Sequence, residues 1–205
     1  MPVATYKVSF TTGGLYYREA IRIIPLYFVL KDWCQVRSKI LDENLLQSRT
    51  KMASQRTLRE LLPRLQTLTE DQMRLIAGGS RRDQNQILWL SVCKQYPLVR
   101  EFAIEVLREK FFCSNQAVGL TDFDTFFFSK AEWHQELGNL TEMTMKKLRQ
   151  VLFRMMREAE LISMDGKIIF ASLSPAVARA IIRDDASLYM VFPVSEADFR
   201  RQAAL

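Results

Sequence analysis

The residues best suited to do chemistry are basic and polar side chains at the start of one helix. They are Thr144, Lys146, Lys147, Arg149 and Gln150. A helix in the DNA major groove presents its first turns to the base edges, while lysine, arginine and the N-terminal amide groups bind phosphates. This cluster therefore predicts a helix that binds double-stranded DNA.

The helix that carries the cluster is predicted from the hydrophobic period after residues 140–144. That segment, Leu-Thr-Glu-Met-Thr, is typical of a turn followed by a helix N-cap. Apolar residues then recur three or four positions apart: Leu148, Val151, Leu152, Met155, Met156 and Ala159. Burial of this face leaves the basic side chains on the solvent side, where Arg154 extends them along the helix.

A β-hairpin is expected after this helix. The runs 161–163 and 167–170 are rich in β-prone residues, and Asp165-Gly166 between them is a strong turn signal. Lys167, beside the turn, is placed to reach a neighbouring phosphate or the minor groove. Helix, turn, basic helix and hairpin is the order of a winged helix-turn-helix. A fold does not dictate function, so a protein-docking module stays an alternative.

The first third of the chain carries the excess positive charge. Residues 1–65 contain 11 basic and 5 acidic side chains. Residues 66–140 contain 8 basic and 10 acidic side chains, and residues 141–205 contain 10 basic and 8 acidic ones. The basic side chains of the central part are Arg37, Lys39, Arg49, Lys51, Arg56, Arg59 and Arg64. Such a surface attracts a polyanion over a Debye length of about 8 Å. A second nucleic-acid contact is predicted at Arg49, Lys51, Arg56 and Arg59, with plain solvation of helix faces as the alternative.

Most of the first 112 residues follow a helical period. The exception is residues 6–10, which alternate between apolar and polar side chains like a short strand. Asp32, Ser54 and Thr69 are expected N-caps, and Arg49 and Lys51 are expected in the connector before Ser54. The pair Gly78-Gly79 is expected to end a helix.

A domain boundary is predicted within residues 114–121, the most polar and glycine-containing break in the chain. It would divide the protein into residues 1–115 and 116–205. Just beyond it, Asp122 is expected to cap an aromatic helix that runs from Phe123 to Trp133. The three consecutive phenylalanines at 126–128 require that most of this helix be buried.

No motif supports enzymatic chemistry. The single histidine, His134, is not paired with cysteine or carboxylate side chains at ligand spacing. Glycine motifs of nucleotide-binding loops and nucleophile elbows are absent. Asp122-Phe123-Asp124 and Asp184-Asp185 could hold a hard metal ion, but the first suits a helix cap and the second a solvated helix end. We therefore expect no catalysis, no metal and no cofactor.

The composition favours a cytoplasmic protein without a membrane partner. The longest apolar stretch, residues 21–30, is interrupted by Arg22 and is shorter than the roughly 20 residues that cross a bilayer. Residues 1–4 lack the pattern of an export signal. Three widely spaced cysteines predict neither a disulfide framework nor a zinc site.

A wider pattern extends over most of the chain. It comprises Ser9-Phe10, Gly13-Gly14-Leu15, Asp32-Trp33, Glu60-Leu61, Arg64-Leu65, Leu88-Trp89-Leu90, Cys93-Lys94-Gln95-Tyr96, Glu101-Phe102, Lys147-Leu148-Arg149 and residues 152–159. In these residues the sequence resembles the BrxA family of small proteins from BREX bacteriophage-resistance systems of bacteria. None of them is a catalytic signature.

The resemblance implies a mainly α fold with two small helix-turn-helix-type domains. The hairpin expected at residues 161–170 would make the second a winged-helix-type domain with a short β-hairpin wing. The resemblance also implies a non-catalytic protein that binds double-stranded DNA and supports defence against phage, with other BREX proteins as further partners. The alternatives are a protein-interaction adapter within the defence complex and an RNA-binding antitermination-like factor. The sequence predicts no oligomeric state.

Overall fold

The protein is described by a computed structural model over residues 6–113 and 116–204. The fold is mainly helical, as expected. The first helices are α1 (Tyr17–Leu30), α2 (Trp33–Asp42), α3 (Lys51–Leu65), α4 (Glu70–Gly78), α5 (Arg81–Gln95), α6 (Pro97–Phe102) and α7 (Glu109–Phe112). The later ones are α8 (Leu120–Ala131), α9 (Gln135–Gly138), α10 (Glu142–Glu158), α11 (Pro175–Asp185) and α12 (Glu196–Ala204). A π-helical segment, Ala103–Arg108, joins α6 to α7, and a 3-10 segment, Ala186–Val191, follows α11.

Helix starts follow local capping chemistry, and two of the three expected N-caps are confirmed. The Asp32 carboxylate accepts backbone N–H groups at the start of α2, and Thr69 forms a reciprocal capping box at α4. Ser54 is wrong as the cap of α3. Thr50 has the extended backbone that a cap needs, so α3 begins at Lys51 and Ser54 is buried inside it.

The aromatic helix α8 begins earlier than expected. Its first residue is Leu120, so Asp122 lies inside the first turn instead of preceding the helix. From there the Asp122 carboxylate accepts the Gly119 N–H at 2.7 Å, which still satisfies a free amide at the helix start. Three of the four phenylalanines are buried and Phe128 is exposed. The burial expected of this helix is therefore confirmed for most of its rings.

The expected strand at residues 6–10 is wrong. Tyr6 and Phe10 are buried while Lys7 is exposed, so the alternation is real, but residues 6–10 form no bridge to any part of the chain that the structure describes. The Tyr6 N–H instead donates to the Glu136 carboxylate at 2.7 Å. Alternation of apolar and polar residues indicates which side chains are buried, but a β-strand also requires a neighbouring strand with which its backbone can form hydrogen bonds.

The expected hairpin is present only as a closed turn. The turn region contains two isolated antiparallel bridges, Ile162 to Ile168 and Ala117 to Lys167. No strand pair is formed within residues 6–113 and 116–204. Gly166 adopts a φ of 85°, which explains the glycine at this position. The Ser163 N–H donates to the Lys167 carbonyl at 2.9 Å and closes the turn.

The helices share a hydrophobic core that extends from Tyr6 to Phe199. Helix α5 is buried on all sides between residues 84 and 93, and the Trp89 indole donates to the Val191 carbonyl at 3.0 Å. Both sides of the expected boundary contribute to this core. The division at residue 115 stays a prediction, and residues 114–115 themselves lie outside the described part.

One basic side chain is entirely inside the molecule. Arg64 was expected to add to the surface charge, and this is wrong, because the residue has no exposed area. Its Cζ lies 5.5 Å from the Tyr16 ring and 5.3 Å from the Tyr96 ring. Its Nη1 donates to the Gly14 carbonyl at 2.9 Å, and its Nη2 lies 3.7 Å from Glu60 Oε2. The buried charge is thus compensated by one acid, one carbonyl and two aromatic rings, while its Nε and Nη2 have no hydrogen-bond partner among the described residues.

The loop at residues 13–15 is held from two sides. Arg64 of α3 binds its carbonyl, and the Glu158 carboxylate of α10 accepts the Leu15 N–H at 2.6 Å. A Cβ on Gly14 would overlap the Glu158 carboxylate, so a larger residue here would displace that carboxylate from its present position. The loop thus joins α10 to the first helices.

Replacement of Arg64 by methionine should lower the free energy of unfolding by about 3–5 kcal/mol, because it leaves the Glu60 carboxylate buried without its cation. Urea denaturation at pH 7 measures this change. The double variant Glu60→Gln with Arg64→Met should recover part of the loss, since no lone buried charge remains. A loss below about 1 kcal/mol in the single variant would contradict the assigned role.

Candidate nucleic-acid interface

Helix α10 places its side chains as the sequence predicts. The Thr141 hydroxyl accepts the Thr144 N–H at 3.2 Å and caps the helix, which begins at Glu142. The six apolar residues expected on its inner face are all buried. The opposite side exposes Lys146, Lys147, Gln150 and Arg154, whereas Thr144 and Arg149 are half-buried.

The two lysines at the start of α10 differ in their surroundings. Lys146 Nζ lies 2.5 Å from Glu142 Oε1, one turn earlier, and both side chains are exposed. This hydrogen bond and the lysine charge lower the pKa of the Glu142 carboxyl. Lys147 forms no ion pair within the described residues. An exposed pair contributes little stability, so both ammonium groups remain accessible to a phosphate.

Arg149 is held within the protein. Its Nη1 lies 2.6 Å from Asp124 Oδ1 and 2.5 Å from Asp124 Oδ2 on α8, and both side chains are largely shielded from solvent. A hydrogen bond between charged groups is stronger than a neutral one. Arg149 therefore fixes α10 against α8, and it could contact a base only after releasing Asp124.

Lys147, Gln150 and Arg154 form one exposed stripe, because their spacings of three and four residues align them along a helix. We call these three residues the α10 stripe. Arg154 Nη1 donates to the Gly13 carbonyl at 3.2 Å, so the stripe ends at the loop 13–15. Of the six expected contact residues of α10, three share this stripe, Lys146 is exposed outside it, Thr144 is half-buried at the helix start and Arg149 is held by Asp124.

Lys167 is exposed on the turn, as expected, but a carboxylate accompanies it. Its Nζ lies 3.7 Å from Asp165 Oδ2. The Ser163 hydroxyl, which donates to Asp165, is the main cause that lowers the pKa of this carboxyl, and the Lys167 charge adds to the effect. The turn therefore offers a phosphate one cation beside one anion. Met164 at its tip is 85% exposed.

The second group of expected residues lies around the start of α3. Arg49, Lys51, Arg56 and Arg59 are all exposed, and none forms an ion pair within the described residues. The single acidic residue of α3 is Glu60, which is buried against Arg64. We call these four basic residues the α3 face. Its positive charge is not offset by any acid of its own helix.

Three further arginines lie beside these surfaces: the charge distribution identifies Arg37 only as part of the general basic surface, and no sequence pattern identifies Arg18 or Arg81. Arg37 of α2 lines a groove of about 290 Å³ together with Arg59 of α3. Arg18 of α1 and Arg81 of α5 line a cleft with Arg154. No local sequence signal could place these arginines beside their neighbours, because each belongs to a different helix from the residue that it lies next to.

The carboxylate pairs considered for a metal are engaged otherwise. Asp122 lies 2.7 Å from Lys110, Asp124 pairs with Arg149, and Asp184 lies 2.8 Å from Lys94. Asp185 accepts the Ser187 N–H at 2.9 Å. Within residues 6–113 and 116–204, no three histidine, cysteine or acidic side chains are grouped so as to hold a metal ion.

No helix in the described part of the chain combines the length and apolarity that crossing a membrane requires.

The family model described as BrxA matches residues 4–185, which is most of the chain. The chain belongs to the BrxA family. A BrxA relative from Bacillus cereus (strain H3081.97), named BREX protein BrxA, is 30% identical over 155 residues, covering 70% of this chain and 77% of the relative. A relative of the same name from Escherichia coli O9:H4 (strain HS) is 25% identical over 147 residues, covering 72% of this chain and 69% of the relative.

The fold of this BrxA family member also occurs in a crystal structure of an uncharacterized protein from Magnetospirillum magneticum. The TM-score is 0.80 at 20% sequence identity, and the match covers 93% of this chain and 98% of that chain. At this identity the likeness establishes a shared fold.

Replacement of Arg149 by alanine should lower the free energy of unfolding by about 1.5–3 kcal/mol, the range for hydrogen bonds to charged groups. Asp124→Asn should have a similar effect, and the double variant should lose little more than either single one. Lys147→Ala on the exposed side is the control and should stay within about 0.5 kcal/mol. Strict additivity of the two single losses in thermal or urea melts would argue against the pair.

Proposed function

We propose that this BrxA family member is a non-catalytic double-stranded DNA-binding protein of a bacterial BREX phage-defence system. Its relatives carry the name BREX protein BrxA, which supports the placement in such a system. The exposed basic surfaces support DNA binding, and α10 is the principal element.

The observation that carries the proposal is a set of exposed cations without acidic partners. Lys147 and Arg154 on α10 and the four residues of the α3 face form no ion pair within the described residues. Phosphate binding to such side chains displaces counterions and water and breaks no internal salt bridge. The binding is therefore dominated by phosphates and weakens steeply as the salt concentration rises.

The order of elements supports α10 as the groove-binding helix. Helix α8, the short α9 and α10 are followed by the turn at residues 163–167, in the order of a winged helix-turn-helix. Helix α10 has 17 residues and is about 25 Å long. The major groove of B-DNA is about 12 Å wide and admits one α-helix, so α10 could lie in it. The bridge from Lys167 to Ala117 holds the turn next to the segment that enters α8.

The contacts divide by chemistry. We assign Lys146, Lys147 and Arg154 to phosphates, with Thr144 at the helix start and Lys167 from the turn. Gln150 is the one side chain of the α10 stripe that can form paired hydrogen bonds with adenine, so base preference is modest. Arg149 positions α10 through Asp124. The α3 face supplies a second phosphate surface.

Loss of the two lysines at the start of α10 should weaken binding to a random-sequence duplex several-fold at about 100 mM salt. The slope of log affinity against log salt should become shallower by about 2, since each neutralised phosphate contributes about 0.9. The variant is Lys146→Ala with Lys147→Ala, and fluorescence anisotropy measures affinity at several salt concentrations. The control Arg200→Ala with Arg201→Ala removes equal charge from α12, where both arginines pair with acids. Equal slopes for the two double variants would reject α10 as the contact.

The α3 face is tested in the same assay by Lys51→Ala, Arg56→Ala and Arg59→Ala combined. We expect a slope shallower by about 2–3, because these side chains carry no competing ion pair. The melting temperature should stay close to that of the unaltered protein, since all three are exposed. An unchanged slope would restrict binding to α10.

A second candidate function is docking of another protein of the same defence system. It is favoured by Phe128 and Trp133, which are 58% and 79% exposed at the end of α8. Exposed aromatic side chains are enriched at protein interfaces. Association with a partner that survives high salt, by a chain without affinity for free duplex, would support docking over DNA binding. Preferential competition by single-stranded RNA would instead indicate RNA recognition.

A further inference from the structure

A cleft of about 370 Å³ opens where the α10 stripe meets the first helices. Arg18 of α1, Arg81 of α5 and Arg154 of α10 line it, and the loop residues Gly13 and Gly14 form part of its wall. All three arginines are exposed, and none forms an ion pair within the described residues. Three separate helices thus deliver three guanidinium groups to one concave site.

Two carboxylates also line the cleft, and they differ in their hydrogen bonds. Glu158 Oε2 accepts the Leu15 N–H at 2.6 Å, so its charge is used to hold the loop. Glu19, in the first turn of α1, is the one acid of the lining without such a backbone bond among the described contacts. The cleft keeps an excess of positive charge, and Glu19 opposes an anion that enters it.

Two of the guanidinium groups are held in position before any ligand binds. The Arg81 Cζ lies 4.3 Å from the centroid of the Tyr17 ring, within the range of a cation–π contact. Arg154 Nη1 donates to the Gly13 carbonyl and retains its other N–H groups for a ligand. The loop itself is fixed by Arg64 and Glu158. Such preorganisation reduces the entropy lost on binding.

We propose that this cleft binds a phosphate group, and that the backbone of a DNA duplex lying on α10 supplies it. Planar guanidinium groups bind phosphate oxygens through paired hydrogen bonds, which makes arginine suited to this role. The site follows the α10 stripe, about 10 Å along the helix from Lys147. The DNA part of this inference rests on the proposed function of α10. The cleft would extend the contact from α10 to α1 and α5.

The first test uses the full chain and a random-sequence duplex. Arg81→Gln should make the salt slope shallower by about 1 and weaken binding several-fold, and Arg18→Gln should act in the same direction. The matched control is Arg82→Gln, because Arg82 is the next residue, is exposed, pairs with Glu160 at 3.3 Å and does not line the cleft. Equal effects of Arg81→Gln and Arg82→Gln would overturn the assignment.

Glu19→Gln gives a prediction of opposite sign. Removal of this carboxylate should strengthen duplex binding several-fold, since it increases the positive charge of the cleft without disturbing an arginine. A merely structural role of the cleft would not produce a gain. The melting temperatures of all variants serve as folding controls, and weaker binding after Glu19→Gln would count against the inference.

The second test separates a backbone phosphate from a free one. Calorimetric titration at low salt should show that pyrophosphate binds the unaltered chain and that Arg81→Gln removes this binding. If duplex binding is absent but Arg81-dependent pyrophosphate binding is present, the proposed DNA function fails and the phosphate site stands. If duplex binding is present and insensitive to Arg18 and Arg81, the DNA function stands and the cleft inference fails. Absence of both kinds of binding overturns both.

Discussion

The enclosed Arg64 guanidinium is the contact on which the arrangement of the other elements depends. A cation without solvent requires an anion, hydrogen-bond acceptors and aromatic faces around it, and Glu60, Gly14 and the rings of Tyr16 and Tyr96 supply them. Glu60 lies one turn earlier on α3, but Gly14, Tyr16 and Tyr96 come from distant parts of the chain, so the charge can be accommodated only when α3, the end of α5 and the entry to α1 are assembled. Glu158 then attaches α10 to the same loop. The exposed surfaces of α3 and α10 are thus oriented by polar contacts underneath them.

The parts of the fold that could be predicted from the sequence are those that neighbouring residues determine. Thr69 and Thr141 cap their helices because the amides that they bind are only three residues away. The inner face of α10 followed from periodicity alone. The predictions for Ser54 and residues 6–10 are wrong, because Thr50 offers a competing cap hydroxyl four residues before Ser54 and because Glu136, the partner of the Tyr6 N–H, lies 130 positions away.

The candidate site divides in the same way. Periodicity identifies Lys147, Gln150 and Arg154 as exposed, since that depends only on their positions around α10. It could not show that Arg149 is bound to Asp124, 25 positions earlier in the sequence. The cleft formed by Arg18, Arg81 and Arg154 could not be predicted from the sequence either, because each side chain alone resembles an ordinary solvated arginine.

The π-helical segment between α6 and α7 sets how the side chains of α7 are oriented. A π turn closes its hydrogen bonds five residues apart and therefore holds one residue more than an α turn. Without it, an inserted residue would rotate every later side chain by about 100° about the helix axis. With the π turns in place, the Phe111 ring lies 6.2 Å from that of Phe170. Residues 103–108 therefore set the direction in which α7 faces, and deletion of one residue there should turn the Phe111 ring away from Phe170.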